Sequence, residues 1–500
     1  MNERGYLLSR FWLIISLGFV FSSLLPLNSF AAPRRNTNDK TVYVHLFEWT
    51  WKDIALECET FLGPKGFRAV QVSPPNEHAV LPNNPWFERY QPVSYQLTTR
   101  SGTRDEFIDM VKRCKAQGVD IYVDAVLNHM SWVNRSGRSK YGVGGSPYDE
   151  YSYAGLYSPN DFHRCGKNGD DSIQNYQDRW EVQNCNLTTC ADLKTESTYV
   201  RGKLASYLQD LIDIGVAGFR IDAAKHIPVT DLQTIFSMTN QSYYVYQEVI
   251  DYGSEPIKSS EYFMTGDVIE FRFARQLAHT FNSGQLSWLG QFGQTWGFVP
   301  DRKAIVFVDN HDLQRGHGGG GEVLTHKDGQ KYTLANIFML AWPYGYPQVM
   351  SSYRFNDSSQ GPPSTGVTTK RVFSGSRTTC GQDWICEHRW APIANMVGFR
   401  NYTQSTPVQK WWSNGKNLIS FARGNSGYVV INKESQGSDR WFDTGLPSGS
   451  YCDVISGDVS PDGRRCTGPT IFVNEYGWAQ ISVGPNNAVA IHGGARPRTR

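Results

Sequence analysis

The chain has 500 residues, with 49 Lys and Arg against 47 Asp and Glu and a formal net charge of +2. So weak a field excludes nucleic acid and anionic membrane surfaces as electrostatically recruited partners and points to an uncharged substrate. The length exceeds one simple core and predicts two or three domains, one of them large.

In chain order, the first element is an export signal. Two arginines precede the almost wholly apolar run Phe11 to Leu27, and Asn28 to Ala32 supplies the small residues of a cleavage site. Residues 1–31 therefore read as a secretory signal peptide and the product as secreted and extracellular. An uncleaved anchor is the alternative at this length. Export turns the nine cysteines into a disulfide question. Short separations pair Cys380 with Cys386 and Cys452 with Cys466, while spacing leaves Cys58, Cys114, Cys165, Cys185 and Cys190 open. Sequons begin at Asn134, Asn186, Asn240, Asn356 and Asn401 and matter where the host glycosylates exported chains.

Short runs rich in β-branched and aromatic residues then recur with helical stretches between them: Val42 to Phe47, Ala69 to Val72, Asp120 to Val126, Ala217 to Ile221, Tyr243 to Gln247, Ala304 to Val308 and Gln348 to Ser352. The clearer ones are largely apolar rather than alternating, as strands covered on both faces should be. A sixth strand is placed at Val268 to Phe273. Repeated strand and helix units at this length predict a (β/α)8 TIM barrel. The irregular stretch after the third strand, rich in Gly, Asn, Asp, Ser and Tyr, reads as an inserted small domain over 131–192. Past about Ser405, alternating runs such as Leu418 to Phe421, Tyr428 to Ile431 and Gln480 to Val483 signal a C-terminal all-β domain over 406–500. The barrel domain is thus split into 32–130 and 193–405.

Residues just past the carboxyl ends of barrel strands converge on one mouth. Three strands end in acids: Gly218 to Asp222, Tyr244 to Glu248, and Phe307 to Asp312, with gaps of 26 and 64 residues. At about 31 residues per barrel unit these gaps are one unit and two, which puts the acids on strands four, five and seven. A lone acid after a strand is a cap or a surface ion pair. Three facing one cleft suit glycoside hydrolysis, whose cationic transition state needs a carboxylic acid for the leaving oxygen and a carboxylate for the sugar.

The segments Tyr43 to Trp49, Asp124 to His129, Gly218 to His226, Gln247 to Val249 and Phe307 to Gly316 resemble the conserved regions of the α-amylase family of glycoside hydrolases, most closely its animal-type members, and the resemblance covers essentially the whole mature chain. It implies endo-hydrolysis of α-1,4-glucosidic bonds in starch and glycogen by a retaining double displacement. By position it implies Asp222 as nucleophile, Glu248 as general acid and base, and Asp312 as transition-state stabiliser, with Arg220 the charge partner of an ionised Asp222. Substrate contacts carried over are Trp86, Tyr90, Gln91, His129, Arg220, Lys225, His226 and His311. Phe87 stands where many relatives have a second Trp. Gly316 to Gly321 matches a mobile lid segment. The resemblance also implies a monomer without nucleic acid or membrane partners.

The same resemblance implies calcium between barrel and insertion, held by the side chains of Asn128 and Asp192 and the carbonyls of Gln183 and His226, oxygen ligands that suit a hard cation. It pairs Cys58 with Cys114 and Cys165 with Cys185 and leaves Cys190 outside a disulfide. Animal-type relatives bind chloride through two arginines and an asparagine. Arg220 and Asn310 match two of these, but Gln348 stands at the third, which implies weak or absent chloride dependence. Two competing readings use the same features: a related transglycosylase, which product analysis separates, and a noncatalytic carbohydrate-binding relative, which would have lost one of the acids.

Overall fold

The computed structural model describes Met1 and residues 41–133, 139–240 and 243–498. The signal-peptide reading and the Asn134 sequon fall outside the described residues. Among the described residues no helix is long and apolar enough to cross a membrane.

Eight parallel strands close into a barrel: β1 (Tyr43–Leu46), β2 (Ala69–Val72), β3 (Asp120–Val126), β4 (Gly218–Asp222), β5 (Tyr244–Gln247), β6 (Asp267–Ile269), β7 (Ala304–Val306) and β8 (Tyr346–Ser351). Nearly every strand residue is buried, which is why the strands read as largely apolar runs. Strand six ends at Ile269, short of the expected Val268 to Phe273. Glu270 accepts a hydrogen bond from the Arg272 amide at 3.0 Å and caps a helix over Phe271–Asn282, so Phe271 to Phe273 are helical.

Tyrosines fill the barrel interior beneath the mouth. The Tyr43 ring packs against Tyr122, Tyr246 and Tyr346 at 5.7, 5.6 and 4.8 Å between centroids. Such rings bring large apolar area, and their hydroxyls must find partners when buried. Tyr246 Oη donates to Gln71 Oε1 at 2.7 Å and Tyr244 Oη to Asp267 Oδ2 at 2.7 Å. The packed floor therefore hands its polar ends to the layer that carries the site.

After β3 the chain leaves the barrel. His129–Trp132 pairs antiparallel with Cys190–Asp192, with His129 opposite Asp192, so the inserted stretch is stitched back where it began. Disulfides join Cys58 to Cys114, Cys165 to Cys185, Cys380 to Cys386 and Cys452 to Cys466, and the buried Cys190 lies outside them.

Beyond the helix Ala391–Tyr402 the chain is all β: β9 (Val408–Ser413), β10 (Leu418–Arg423), β11 (Gly427–Asn432), β12 (Ser438–Asp443), β13 (Gly449–Cys452), β14 (Thr470–Val473), β15 (Trp478–Val483) and β16 (Asn487–His492). Its core gathers Leu418, Tyr428, Val430, Phe442, Ile481 and Ile491. The buried Arg423 donates to the carbonyls of Ala341 and Thr403 at 2.6 and 2.9 Å and so ties β10 to the ends of two helices.

Candidate active site

Strand register builds the centre of the site. In the β3–β4 ladder Asp124 stands opposite Arg220 and Val126 opposite Asp222, while Arg220 faces Tyr246 on β5. Side chains two residues apart on a strand share a face, so Arg220 and Asp222 both point inward. One guanidinium meets three carboxyl groups: Nη1 lies 2.5 Å from Asp124 and 2.8 Å from Asp222, and Nη2 lies 2.8 Å from Glu248. Asp222 was the anticipated partner. Asp124 and Glu248 come from neighbouring strands.

Asp222 turns into a residue that fixes its neighbour. Ala223 takes a left-handed conformation at φ 48°, which sparsely populated geometry aims its amide at Glu248 Oε2, 2.9 Å away. Asp312, two strands further round, has its Oδ2 3.4 Å from His311 Nε2. Burial and the charge of Glu248 push the Asp312 carboxyl up to about 7, against the pull of Arg220. Burial and neighbouring carboxylates likewise raise Asp222 well above the usual range. Acids so crowded around one cation must retain protons near neutrality, the condition that supplies an acid and a base at one place.

A wall of rings closes one side. His311 lies between Phe47 and Tyr90, stacked on each at 5.1 and 5.2 Å, and burial keeps it neutral. Tyr90 Oη donates to Asp124 at 2.9 Å, so the ring that stacks on His311 also holds the carboxylate behind Arg220. Trp86 meets His311 edge-on at 5.5 Å and anchors its indole N–H on the Ser358 carbonyl at 2.9 Å. Gln91 accepts from the Trp132 amide at 3.3 Å. Arg315 props this wall from behind, its guanidinium 5.0 Å from the Phe47 ring and 4.2 Å from Phe355, with Nη1 donating to the His311 carbonyl at 2.9 Å.

The remaining carried-over residues sit at the edges of this cluster. His129 Nε2 hydrogen-bonds the Tyr90 carbonyl at 2.9 Å, and burial lowers this histidine to about 4. It therefore fastens the aromatic loop as a neutral ring. Lys225 Nζ donates to the Ile250 carbonyl at 2.8 Å. His226 Nδ1 contacts the Val182 carbonyl at 2.8 Å, and burial lowers this ring to about 4 as well. Along the glycine run, Tyr252 Oη donates to the Gly318 carbonyl at 2.8 Å, and a Cβ on Gly319, at φ 90°, would stand 2.7 Å from the Tyr252 ring. Only glycine fits there.

The donor set named for calcium suits an oxygen-seeking cation. Asn128 Nδ2 lies 3.1 Å from Asp192 Oδ1, and both side chains are buried. Gln183 Nε2 reaches the Lys225 carbonyl at 3.4 Å, which brings the Val182–Gln183 backbone against Lys225–His226. A buried carboxylate, an amide oxygen and two carbonyls from separate loops match the preferences of such an ion. For an anion the fit is poor. Gln348 is uncharged and its Nε2 donates to Gln71 Oε1. Arg220 is committed to three carboxylates, so the spot lacks the surplus positive charge that holds chloride.

Reasoning from sequence missed Asp124, Gln71 and Arg315. Asp124 stands in a quoted segment, yet only strand register shows that it faces Arg220. Gln71 Nε2 donates to Asp124 Oδ2 at 3.1 Å and reads locally as one polar residue inside an apolar strand.

A closed parallel barrel whose mouth gathers carboxyl groups around one guanidinium beside an aromatic wall defines a glycoside hydrolase. A family model described as the α-amylase catalytic domain matches residues 66–269, and one described as the α-amylase C-terminal all-beta domain matches 411–494. Pancreatic α-amylase 2a5 of Mus musculus is 46% identical, covering 97% of this chain and 99% of its own, and the α-amylase of Pecten maximus is 46% identical over 94% of each. Wild-type α-amylase I of Eisenia fetida superposes with a TM-score of 0.86 at 41% identity, covering 93% of this chain and 99% of that one. A glutamate-to-glutamine variant of the same enzyme, solved with maltohexaose, matches equally well. A γ-cyclodextrin glucanotransferase from alkalophilic Bacillus clarkii, with a TM-score of 0.63 at 17% identity, shares the fold. The chain belongs to the α-amylase family of glycoside hydrolases.

Proposed function

We propose that the chain, an α-amylase by family, hydrolyses internal α-1,4-glucosidic bonds of starch and glycogen with retention of configuration. One observation carries this reading: Asp222 and Glu248 hang on adjacent nitrogens of the Arg220 guanidinium, each 2.8 Å away. Two carboxyls held by one guanidinium lie on the same side of the cleft, which suits the short separation of about 5 to 5.5 Å that retaining enzymes use. Glu248 gives its proton to the glycosidic oxygen as that bond breaks, and Asp222 attacks the anomeric carbon to form a glycosyl ester. Glu248 then takes a proton from water, which releases the sugar and restores both acids. Asp312 and His311 grip ring hydroxyls and favour the distorted sugar, while Trp86, Tyr90 and Gln91 position the chain. The maltohexaose complex of the Eisenia fetida relative supports an α-1,4 glucan as the ligand class.

Asn128, Asp192 and the carbonyls of Gln183 and His226 would hold calcium, which when bound cross-links the inserted stretch over 131–192 to the barrel. The four disulfides support an exported, extracellular enzyme, and we take it to act as a monomer. Reducing-sugar release from soluble starch tests the reading. The wild type should yield a ladder of short maltooligosaccharides, and Glu248→Gln should lose about 10²- to 10⁴-fold, the usual worth of general acid and base catalysis. Hydrolysis by Glu248→Gln at the wild-type rate overturns the assignment.

A further inference from the structure

His311 is held between two rings that come from distant parts of the chain. Phe47 follows β1, and Tyr90 ends a short helical turn over Trp86–Tyr90 in the loop after β2. The imidazole stacks between them, its centroid 5.1 Å from one ring and 5.2 Å from the other. Ring stacking is a modest force with more than one acceptable offset, so by itself it does not fix the width of this slot. The neighbours of the two rings do. Glu48 follows Phe47, Arg89 precedes Tyr90, and the Arg89 guanidinium lies 2.8 Å from Glu48 Oε2, with both side chains wholly buried. Arg89 Nη1 also donates to Ser101 Oγ at 2.8 Å, and Nη2 and Nε donate to the Pro74 carbonyl at 2.7 and 3.3 Å. Every nitrogen of this guanidinium is thereby engaged.

Glu48 is fixed through its backbone as well. Its amide donates to Ser73 Oγ at 2.9 Å, and its φ of 66° is a left-handed conformation that a residue other than glycine keeps only where its surroundings impose it. A second pair braces the far side of the loop. Glu88 lies 3.2 Å from the Arg100 guanidinium, and its Oε2 accepts from the Leu81 amide at 3.1 Å, while Arg100 donates to the Asn84 carbonyl at 3.3 Å. The helical turn therefore presents Trp86 and Tyr90 to the site, and Glu88 and Arg89 to a buried ionic layer behind it. A buried ion pair adds little net stability, since desolvation offsets the attraction, yet removing one partner is strongly disruptive. A pair this deep, joining the residues beside two stacked rings, is better explained by placement than by stability.

We propose that the Arg89–Glu48 pair is a buckle that sets the spacing of the Phe47 and Tyr90 rings and so positions His311 beside Asp312. Glu48 and Arg89 are positioning residues that act through His311, and the inference rests on the sugar-gripping role given to that histidine above. Its test is kcat and KM on a short chromogenic maltooligosaccharide for the full chain and its Arg89→Met, Arg89→Lys, Glu48→Gln and His311→Ala variants. A displacement of about 1 Å in a reacting geometry costs about 10²-fold, so Arg89→Met should lose about that factor in kcat/KM, most of it in kcat. Glu48→Gln keeps an acceptor oxygen without the charge that strengthens the bond, and should lose about fivefold or more. Arg89→Lys restores the charge without the fork and should fall between Arg89→Met and wild type. Residues that act through one another are not additive, so in a His311→Ala background the further loss from Arg89→Met or Glu48→Gln should shrink below about twofold. Losses that multiply in full in that background overturn the buckle. So does an Arg89→Met or Glu48→Gln enzyme with wild-type kcat/KM, and Glu48→Gln decides alone if circular dichroism shows Arg89→Met unfolded. Failure of the underlying reading would appear differently, as full activity in His311→Ala or no hydrolysis by the wild type, and either result removes the buckle with it.

Discussion

Replacing Arg220 with Met removes the charge at the centre of the site while keeping much of its volume. Asp124, Asp222 and Glu248 lie 2.5, 2.8 and 2.8 Å from that guanidinium, and all three side chains are buried. Breaking a buried ion pair by removing one partner costs about 3 to 5 kcal/mol. If that cost falls on the charge-separated transition state, kcat/KM drops by about 10² to 10⁴. The stranded carboxyls then take up protons. A unit pair near 4 Å in an effective dielectric of 20 is worth about 4 kcal/mol, and at 1.36 kcal/mol per unit this caps the rise in carboxyl pKa at about three units. The attack needs an ionised Asp222, so the acid limb of the kcat/KM profile should move upward, by about two pH units after relaxation and entry of water. Arg220→Lys keeps a charge but loses the fork that serves several carboxylates at once, so its limb should shift less. Residual kcat/KM measured from pH 4 to 9 on a chromogenic maltooligosaccharide, with circular dichroism to confirm the fold, decides the matter. An acid limb unmoved in Arg220→Met would refute the claim that this guanidinium sets the ionisation of the nucleophile.

Asp312 is raised to about 7, above its unfolded value, so its ionisation burdens the folded state increasingly as pH climbs from the ordinary Asp range through 7. Asp312→Asn should therefore raise the thermal midpoint at pH 8 relative to pH 4. Chelation should lower the melting midpoint by a few degrees and release activity slowly, since a ligand at 100 times its Kd contributes about 2.7 kcal/mol; a midpoint indifferent to chelator and to added calcium would remove calcium from the Asn128 and Asp192 site. Chloride titrated into halide-free buffer should change activity by less than about twofold, and strong activation would show that Gln348 does not weaken the anion site.

Much of the barrel is readable because its strands are buried on both faces and stay largely apolar. The end of β6 is harder to read. Val268 to Phe273 alternates apolar residues with Glu270 and Arg272, a pattern that also suits a strand. The switch lies in Glu270, whose carboxylate caps the first turn of the helix, a polar signal that the alternation of a strand would equally contain. In the C-terminal domain the alternation located β10, β11 and β15.

The three candidate acids could be picked out because each follows its own strand, so position along one segment suffices. What surrounds them depends on register between strands and on loops far apart in the chain. Asp124 and Arg220 are 96 residues apart and meet because the β3–β4 ladder puts them in one row. The electrostatics of the site follows from that row rather than from any motif. Asp124, Asp222 and Glu248 share Arg220, and Gln348, opposite Tyr43 in the β1–β8 ladder, spends its amide on Gln71 instead of supplying a second cation. Such a cluster runs short of positive charge and makes up the deficit with protons. Burial, reinforced by the neighbouring carboxylates, holds Asp222 and Asp312 above the usual carboxylate range, so protons stay in the cluster where a glycosidic bond would be broken.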